Sequence, residues 1–191
     1  VWHWTAPHDR IGAEVSSYYL ASERVVLDPM IPPEGLDWLE DRGPPEHVLM
    51  TNRHHDRHAW RLRERFGCTV HCPGNGMYEI EGRGPAEPFD SGDVLPGGVI
   101  AYEVDAICPD ETALFIPRHG ALACADGIVH YSPSLGFVPD QLMDEPEQTK
   151  QGLRAAYRRL LDLELDFGHL LLAHGQPVVG QGREALAEFV G

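Results

Sequence analysis

The sequence predicts a layered α/β fold, and two patterns support this prediction. Residues 25–72 alternate between short apolar runs and amphipathic segments at helical spacing. A longer amphipathic segment, about 145–166, precedes the apolar run Leu170–Ala173, which again gives a helix followed by a strand. Strands that alternate with helices pair in parallel through crossover connections, so we expect sheets covered by helices.

Local residue patterns predict the individual elements in chain order. An edge strand is expected at Trp2–Trp4, and β-branched and aromatic residues between polar turns predict two further strands over 15–20 and 25–28. Gly67 predicts the end of a helix over 59–66. Residues 73–98 are rich in Gly, Pro and acids and predict hairpins or an irregular excursion. The remaining expected elements are helices over about 33–41 and 183–190 and strands over 47–51, 68–72, 99–105, 112–116 and 120–125.

Charge and length restrict the class of protein. The chain has 191 residues, with 15 Lys and Arg against 30 Asp and Glu, which gives a formal net charge of −15. Such a balance repels nucleic acid and anionic membrane surfaces. We therefore expect one domain over residues 1–191, a small-molecule substrate and, at most, a second copy of the chain as protein partner.

The sequence also carries expectations about location. Its apolar runs are only a few residues long, so no membrane-spanning segment is expected. The first residues lack a basic region followed by an apolar run, so no signal peptide is expected. Four cysteines in a chain of this length do not suggest a disulfide scaffold, and the expected compartment is the cytoplasm.

Polar residues follow three of the expected strands. The 11 histidines cluster once, where His54, His55 and His58 lie beside Asp56 after the 47–51 strand. Asp126 and His174 each follow another apolar strand. Ligands of open α/β folds bind beyond the carboxyl ends of strands, and imidazoles and carboxylates are the usual donors for zinc, iron or manganese.

These residues resemble the metallo-β-lactamase superfamily over nearly the whole chain. Its Thr-His-x-His-x-Asp-His loop matches residues 51–57, and its early strand ending in Asp matches Val25–Asp28. The strand pair that ends in an aspartate matches Ala113–Asp126, and the terminal His-Gly loop matches 170–180. The resemblance implies a four-layer αβ/βα sandwich with its site where the two sheets meet.

The resemblance also implies a reduced metal site. Asn52, Arg57 and Ile107 stand where the family has histidines. A two-metal centre is therefore not expected. The donors that remain are His54, Asp56, Asp126 and His174, which suffice for one divalent ion, with zinc preferred over iron or manganese. His58 is a substitute donor in this interpretation, and Asp28 orients the loop.

The activity that the resemblance implies is metal-assisted hydrolysis. The ion lowers the pKa of a bound water toward neutrality, and the hydroxide attacks a carbonyl or a phosphodiester. Asp56 would orient or deprotonate the water, while Arg57 or His58 would stabilise the oxyanion. A small ester or thioester, as in hydroxyacylglutathione hydrolases, is the favoured substrate.

A second hypothesis involves no metal. The Arg57 guanidinium could lie between Asp56 and Asp126 and supply the positive charge that the site needs. The chain would then be a non-catalytic binding or scaffold protein. His55 is expected to face solvent at the start of the helix in either case.

Overall fold

Two six-stranded β-sheets pack against each other, and each is covered by helices on its outer face. The computed structural model describes residues 1–131 and 133–191. Within these ranges no helix is both long enough and apolar enough to cross a membrane.

The first sheet contains the strands of the N-terminal half in chain order, from β1 at one edge to β6 at the other. β1 to β3 pair antiparallel, and β3 to β6 pair parallel. Parallel pairing follows from the helical crossovers between these strands, as the alternation in the sequence predicted. The strands are β1 (Trp2–His8), β2 (Ala13–Leu20), β3 (Val25–Leu27), β4 (His47–Leu49), β5 (Thr69–Pro73) and β6 (Glu87–Phe89).

The second sheet has the order β12-β11-β10-β9-β8-β7 and pairs antiparallel except between β10 and β11. β10 and β11 are parallel because a long helix returns the chain across the sheet between them. The strands are β7 (Val94–Leu95), β8 (Val99–Glu103), β9 (Thr112–Ile116), β10 (Ala121–Cys124), β11 (His169–Leu172) and β12 (Val178–Val179).

In the described ranges, five α-helices cover the two sheets. The helix expected over 33–41 is a single turn, because a tight turn closed by Gly35 N–H and Pro32 C=O occupies its first residues. The excursion over 73–98 contains a short helix as well as β6 and β7. The helices are α1 (Asp37–Glu40), α2 (Ala59–Phe66), α3 (Met77–Ile80), α4 (Pro146–Asp162) and α5 (Gly182–Val190).

Three apolar layers confirm the four-layer αβ/βα arrangement. A central layer joins the sheets and includes Leu27, Leu49 and Leu114. On the outer face of the first sheet, Leu39 and Leu62 of α1 and α2 pack on its strands. The outer face of the second sheet is covered by α4 and α5 through Leu153, Ala156, Tyr157, Leu160, Leu186 and Val190.

Polar contacts also join the sheets at the edge that carries the candidate site. Tyr18 of β2 donates its hydroxyl hydrogen to Leu172 C=O and accepts from Leu172 N–H, each at 2.9 Å. Ser16 N–H donates to Ala173 C=O at 2.9 Å. These bonds fix the carboxyl end of β11 against the first sheet.

Candidate metal centre

The loop after β4 begins with an asparagine cap. Asn52 is the N-cap of the short 3-10 turn Arg53–Asp56, and its Oδ1 accepts from His54 N–H at 2.9 Å. In a 3-10 turn, residues three apart lie on the same side. Asn52 and His55 therefore face the same way, and His54 faces elsewhere.

Three side chains from three strand ends converge at this edge. His55, Asp126 and His174 each offer a donor atom, and these atoms lie within 4.8 Å of one another. Nε2 of His55 is 3.1 Å from Asp126 Oδ1, and Nε2 of His174 is 2.8 Å from the same oxygen. Two imidazoles and one carboxylate are a donor set that catalytic zinc sites use, with a fourth position left open.

The second atom of each donor group is held by a neighbour. Nδ1 of His55 is 3.0 Å from Asp28 Oδ2 and 2.8 Å from the Thr51 hydroxyl. Asn52 Nδ2 donates to Asp126 Oδ2 at 3.0 Å. A histidine that gives its Nδ1 hydrogen to a carboxylate presents Nε2 to a metal, and this is the usual outer arrangement of metal-binding histidines. The chain's own contacts therefore fit a divalent ion.

Asp28, His55 and Asp126 form a charged row. Burial opposes the charge on His55, but Asp28 and Asp126 outweigh it and raise its pKa to about 9. Burial would raise the pKa of Asp126, but the charge and hydrogen bonds of His55 and His174 keep it well below its ordinary value. A metal ion held by Nε2 of His55 would therefore have to displace a proton from that ring.

The loop after β11 requires a glycine beside the third donor. Gly175 has φ +88°, and a Cβ added there would lie 2.1 Å from His130 C=O. The close approach lets His130 N–H donate to His174 C=O at 3.1 Å and lets Gln176 N–H donate to His130 C=O, also at 3.1 Å. Tyr131, next to His130, has its hydroxyl 3.3 Å from His174 Nδ1.

Two of the four expected ligands, Asp126 and His174, lie in this cluster. The other two lie outside it. His54 is exposed, and its Nδ1 is 3.9 Å from Glu79 Oε2. Asp56 is buried and forms ion pairs with Arg10, at 3.4 Å, and with Arg83.

The remaining loop residues bind backbone groups. Arg57 does not bridge Asp56 and Asp126, because its Nη1 donates to Ser16 C=O at 2.7 Å and to Asp28 C=O at 2.9 Å. His58 Nδ1 accepts from Ile31 N–H at 2.9 Å, at the start of α2.

His55 was expected to face solvent, and this expectation is wrong because its side chain is only 4% exposed. Alignment of the family motif on residues 51–57 had placed the metal-ligating histidine at His54. The signal that could have identified His55 is the capping asparagine three residues before it, because Asn is a preferred N-cap.

The centre lies in a cavity of about 910 Å³. His55, Asp126 and His174 line it together with His54, Arg57 and Ile107. The space is large enough for a small organic ligand beside the three donors.

Solved structures share this architecture. The chain has the metallo-β-lactamase fold. DIM-1 metallo-β-lactamase superposes with a TM-score of 0.73 and 12% identity, over 97% of this chain and 89% of that one. The protein TTHA1623, solved in a di-iron-bound form, gives a TM-score of 0.71 and 20% identity over 94% of each chain. A metallo-β-lactamase family protein from Thermus thermophilus, TTHA1429, gives 0.68 and 15%, over 99% of this chain and 77% of that one.

Similarity at this level of identity shows a metallo-β-lactamase fold and does not show which reaction the site catalyses. No protein-family profile and no curated protein matches the sequence.

Proposed function

We propose that this chain is a hydrolase of small esters or thioesters that uses one divalent metal ion, zinc by preference, held by His55, Asp126 and His174. The observation that carries the proposal is the convergence of these three donors, each with its second atom held by a neighbour, in an open cavity. The proposal keeps two of the four ligands expected from the sequence and replaces His54 and Asp56 by His55.

The bound ion would supply a water of lowered pKa as the nucleophile. Asp28 and Thr51 hold the His55 ring, so that Nε2 stays directed at Asp126. Asn52 holds Asp126 Oδ2 and leaves Oδ1 facing the two imidazoles.

We assign to Tyr131 the role of contacting the substrate carbonyl. It is 62% exposed and lines the cavity. When His174 gives its Nδ1 hydrogen to the Tyr131 oxygen, the phenol retains its own proton. The phenol O–H can then donate a hydrogen bond to the carbonyl oxygen of a bound ester, where negative charge develops.

We assign a structural role to the other loop residues. Asp56 forms ion pairs with Arg10 and Arg83, and His58 caps a backbone amide. The charge of Arg57 lies behind Asp28 and offsets part of the negative charge of Asp28 and Asp126.

Elemental analysis tests the proposal. Protein purified without chelator should contain about one zinc, iron or manganese per chain, and His55→Ala and His174→Ala should each reduce this below about 0.2. The matched control is His54→Ala, which changes the adjacent exposed imidazole and should retain the metal. A folded wild type without metal, or loss of metal from His54→Ala with retention in His55→Ala, would contradict the proposal.

A thermal measurement provides a second test. Zinc at 100 times its dissociation constant should stabilise the wild-type protein by about 2.7 kcal/mol and raise its Tm. Asp126→Asn keeps the shape of the side chain and should lose most of this rise. An equal rise in both proteins would mean that zinc binds elsewhere.

A further inference from the structure

Six apolar residues of the cavity lining come from two separate segments and are called the apolar wall below. The first segment is the turn between β1 and β2 with the start of β2, and the second lies between β10 and α4. Ile11 is 56% exposed and Leu142 67% exposed, although both are aliphatic. The wall consists of Ile11, Ala13, Val15, Val138, Pro139 and Leu142.

Exposed apolar residues are concentrated here. Among the described residues nine large hydrophobic side chains are exposed, and three of them, Ile11, Tyr131 and Leu142, line this one cavity. Single exposed apolar residues need no explanation, but a group around a polar centre indicates a ligand with an apolar part.

The cavity has a positively charged group at its edge. Asp126 is the one acid that lines it among the described residues, and Arg57, which also lines it, offsets part of that charge, so Arg10 is the further cation of the lining. Asp56 does not cancel Arg10, because Arg83 shares the same carboxylate. The Arg10–Asp56–Arg83 group therefore leaves one excess positive charge beside the cavity, called the basic mouth below, in a chain whose net charge is −15.

We propose, on the basis of the hydrolase function above, that the substrate is an acyl ester or thioester with an apolar acyl chain and an anionic group. The acyl chain lies along the wall between Ile11 and Leu142. Arg10 at the mouth attracts the anionic group. Hydrolysis leaves the acyl chain with a new carboxylate at the former carbonyl carbon, so the acid product is itself an apolar chain with an anionic end.

The physical expectation is a dependence on chain length. Each buried methylene contributes about 0.8 kcal/mol, which corresponds to roughly a fourfold change in affinity. Octanoate has four more methylenes than butyrate, so burial of only half of them strengthens binding more than about tenfold.

Calorimetric titration of the metal-free protein in chelator tests this expectation. The probes are octanoate, butyrate and octanol. Octanoate should bind at least about tenfold more tightly than butyrate, because of the wall, and more tightly than octanol, because of the basic mouth. Arg10→Gln should reduce the preference of octanoate over octanol.

Leu142→Glu provides the matched variant, with Leu163→Glu as its control. Both leucines are exposed, at 67% and 52%, and only Leu142 lines the cavity. Octanoate affinity should fall about tenfold or more in Leu142→Glu and stay unchanged in Leu163→Glu. Butyrate affinity should fall less, because its shorter chain buries less of the wall.

Equal affinities for octanoate and butyrate would overturn the proposal, as would equal octanoate affinities in the two leucine variants. Because the titration uses no metal, its outcome is independent of metal content. If the purified protein contains no metal but the titration shows a chain-length preference, the hydrolase proposal fails and the acyl pocket stands. If the purified protein contains one metal per chain but the titration shows no chain-length preference, the acyl pocket fails and the hydrolase proposal stands.

Discussion

Glu111 places a second carboxyl group behind the candidate centre. Its side chain is buried, and Oε1 accepts from Gly127 N–H at 2.7 Å, directly after Asp126. Oε2 is buried and has no hydrogen-bond partner among the described residues. Burial, with a further contribution from the charge of Asp126, raises the pKa of Glu111 well above its ordinary value.

Glu111→Gln should therefore change how stability depends on pH. A folded-state pKa above the unfolded value means that the favourable contribution is complete below about pH 4.5 and is lost as pH rises toward the folded pKa. The loss is up to about 1.4 kcal/mol per pH unit, and glutamine removes it. Urea unfolding in chelator should show that the variant gains stability over wild type between about pH 5 and pH 8.

Glu188→Gln is the control, since Glu188 is an exposed residue of α5. The difference in unfolding free energy between Glu188→Gln and wild type should stay constant over the same pH range. A constant difference between Glu111→Gln and wild type would show that Glu111 is ionised in the folded protein.

At the scale of elements, strand ends define the site. β4, β10 and β11 each deliver one donor, because the loops after them begin at the same edge. The sequence predicted this convergence, because apolar strands followed directly by polar residues are visible without a structure. It favoured His54 over His55, whereas the structure places His55 beside Asp126 and His174, because that choice depends on the rotation of one 3-10 turn.

Gly175→Ala should displace the loop that carries His174. The left-handed φ of +88° strains any residue with a Cβ, and that Cβ would also meet His130 C=O at 2.1 Å. We expect a loss of about 3 kcal/mol in the free energy of unfolding and loss of metal binding. Urea unfolding and elemental analysis measure the two effects.

Gly98→Ala is the control that separates backbone strain from the steric clash with His130. Gly98 has φ +74° and no atom within 4 Å of an added Cβ. It should cost only about 1 kcal/mol and leave metal content unchanged. Equal effects of the two alanines would mean that the contact with His130 is unimportant.

At the scale of the whole molecule, the chain combines a conventional apolar core with an excess of negative charge. The central layer between the sheets and the two outer layers bury the large aliphatic residues. The formal charge of −15 is therefore distributed mainly over the surface, where it destabilises the folded state by repulsion.

Salt should accordingly stabilise the metal-free protein. The Debye length falls from about 30 Å at 0.01 M ionic strength to about 8 Å at 0.15 M, which screens repulsion between distant carboxylates. We expect Tm at neutral pH, in chelator, to rise with sodium chloride over this range. The rise should nearly vanish close to pH 5.0, the isoelectric point calculated from the sequence. A fall in Tm at neutral pH would mean that local ion pairs such as Arg83–Asp56 outweigh the net repulsion.

The sequence by itself predicted the α/β class and the chemical types at the site, and the resemblance to the metallo-β-lactamase superfamily implied the layer order. Hydrophobic periodicity and strand-end composition are local properties, and they made Asp126 and His174 candidate ligands without coordinates. Only the tertiary structure decided that His55 rather than His54 lies beside Asp126 and His174, that Arg57 binds backbone carbonyls and that the cavity lining combines apolar residues with Arg10. These features depend on the turn of a capped loop and on segments distant in sequence, whose positions are fixed by packing between the two sheets.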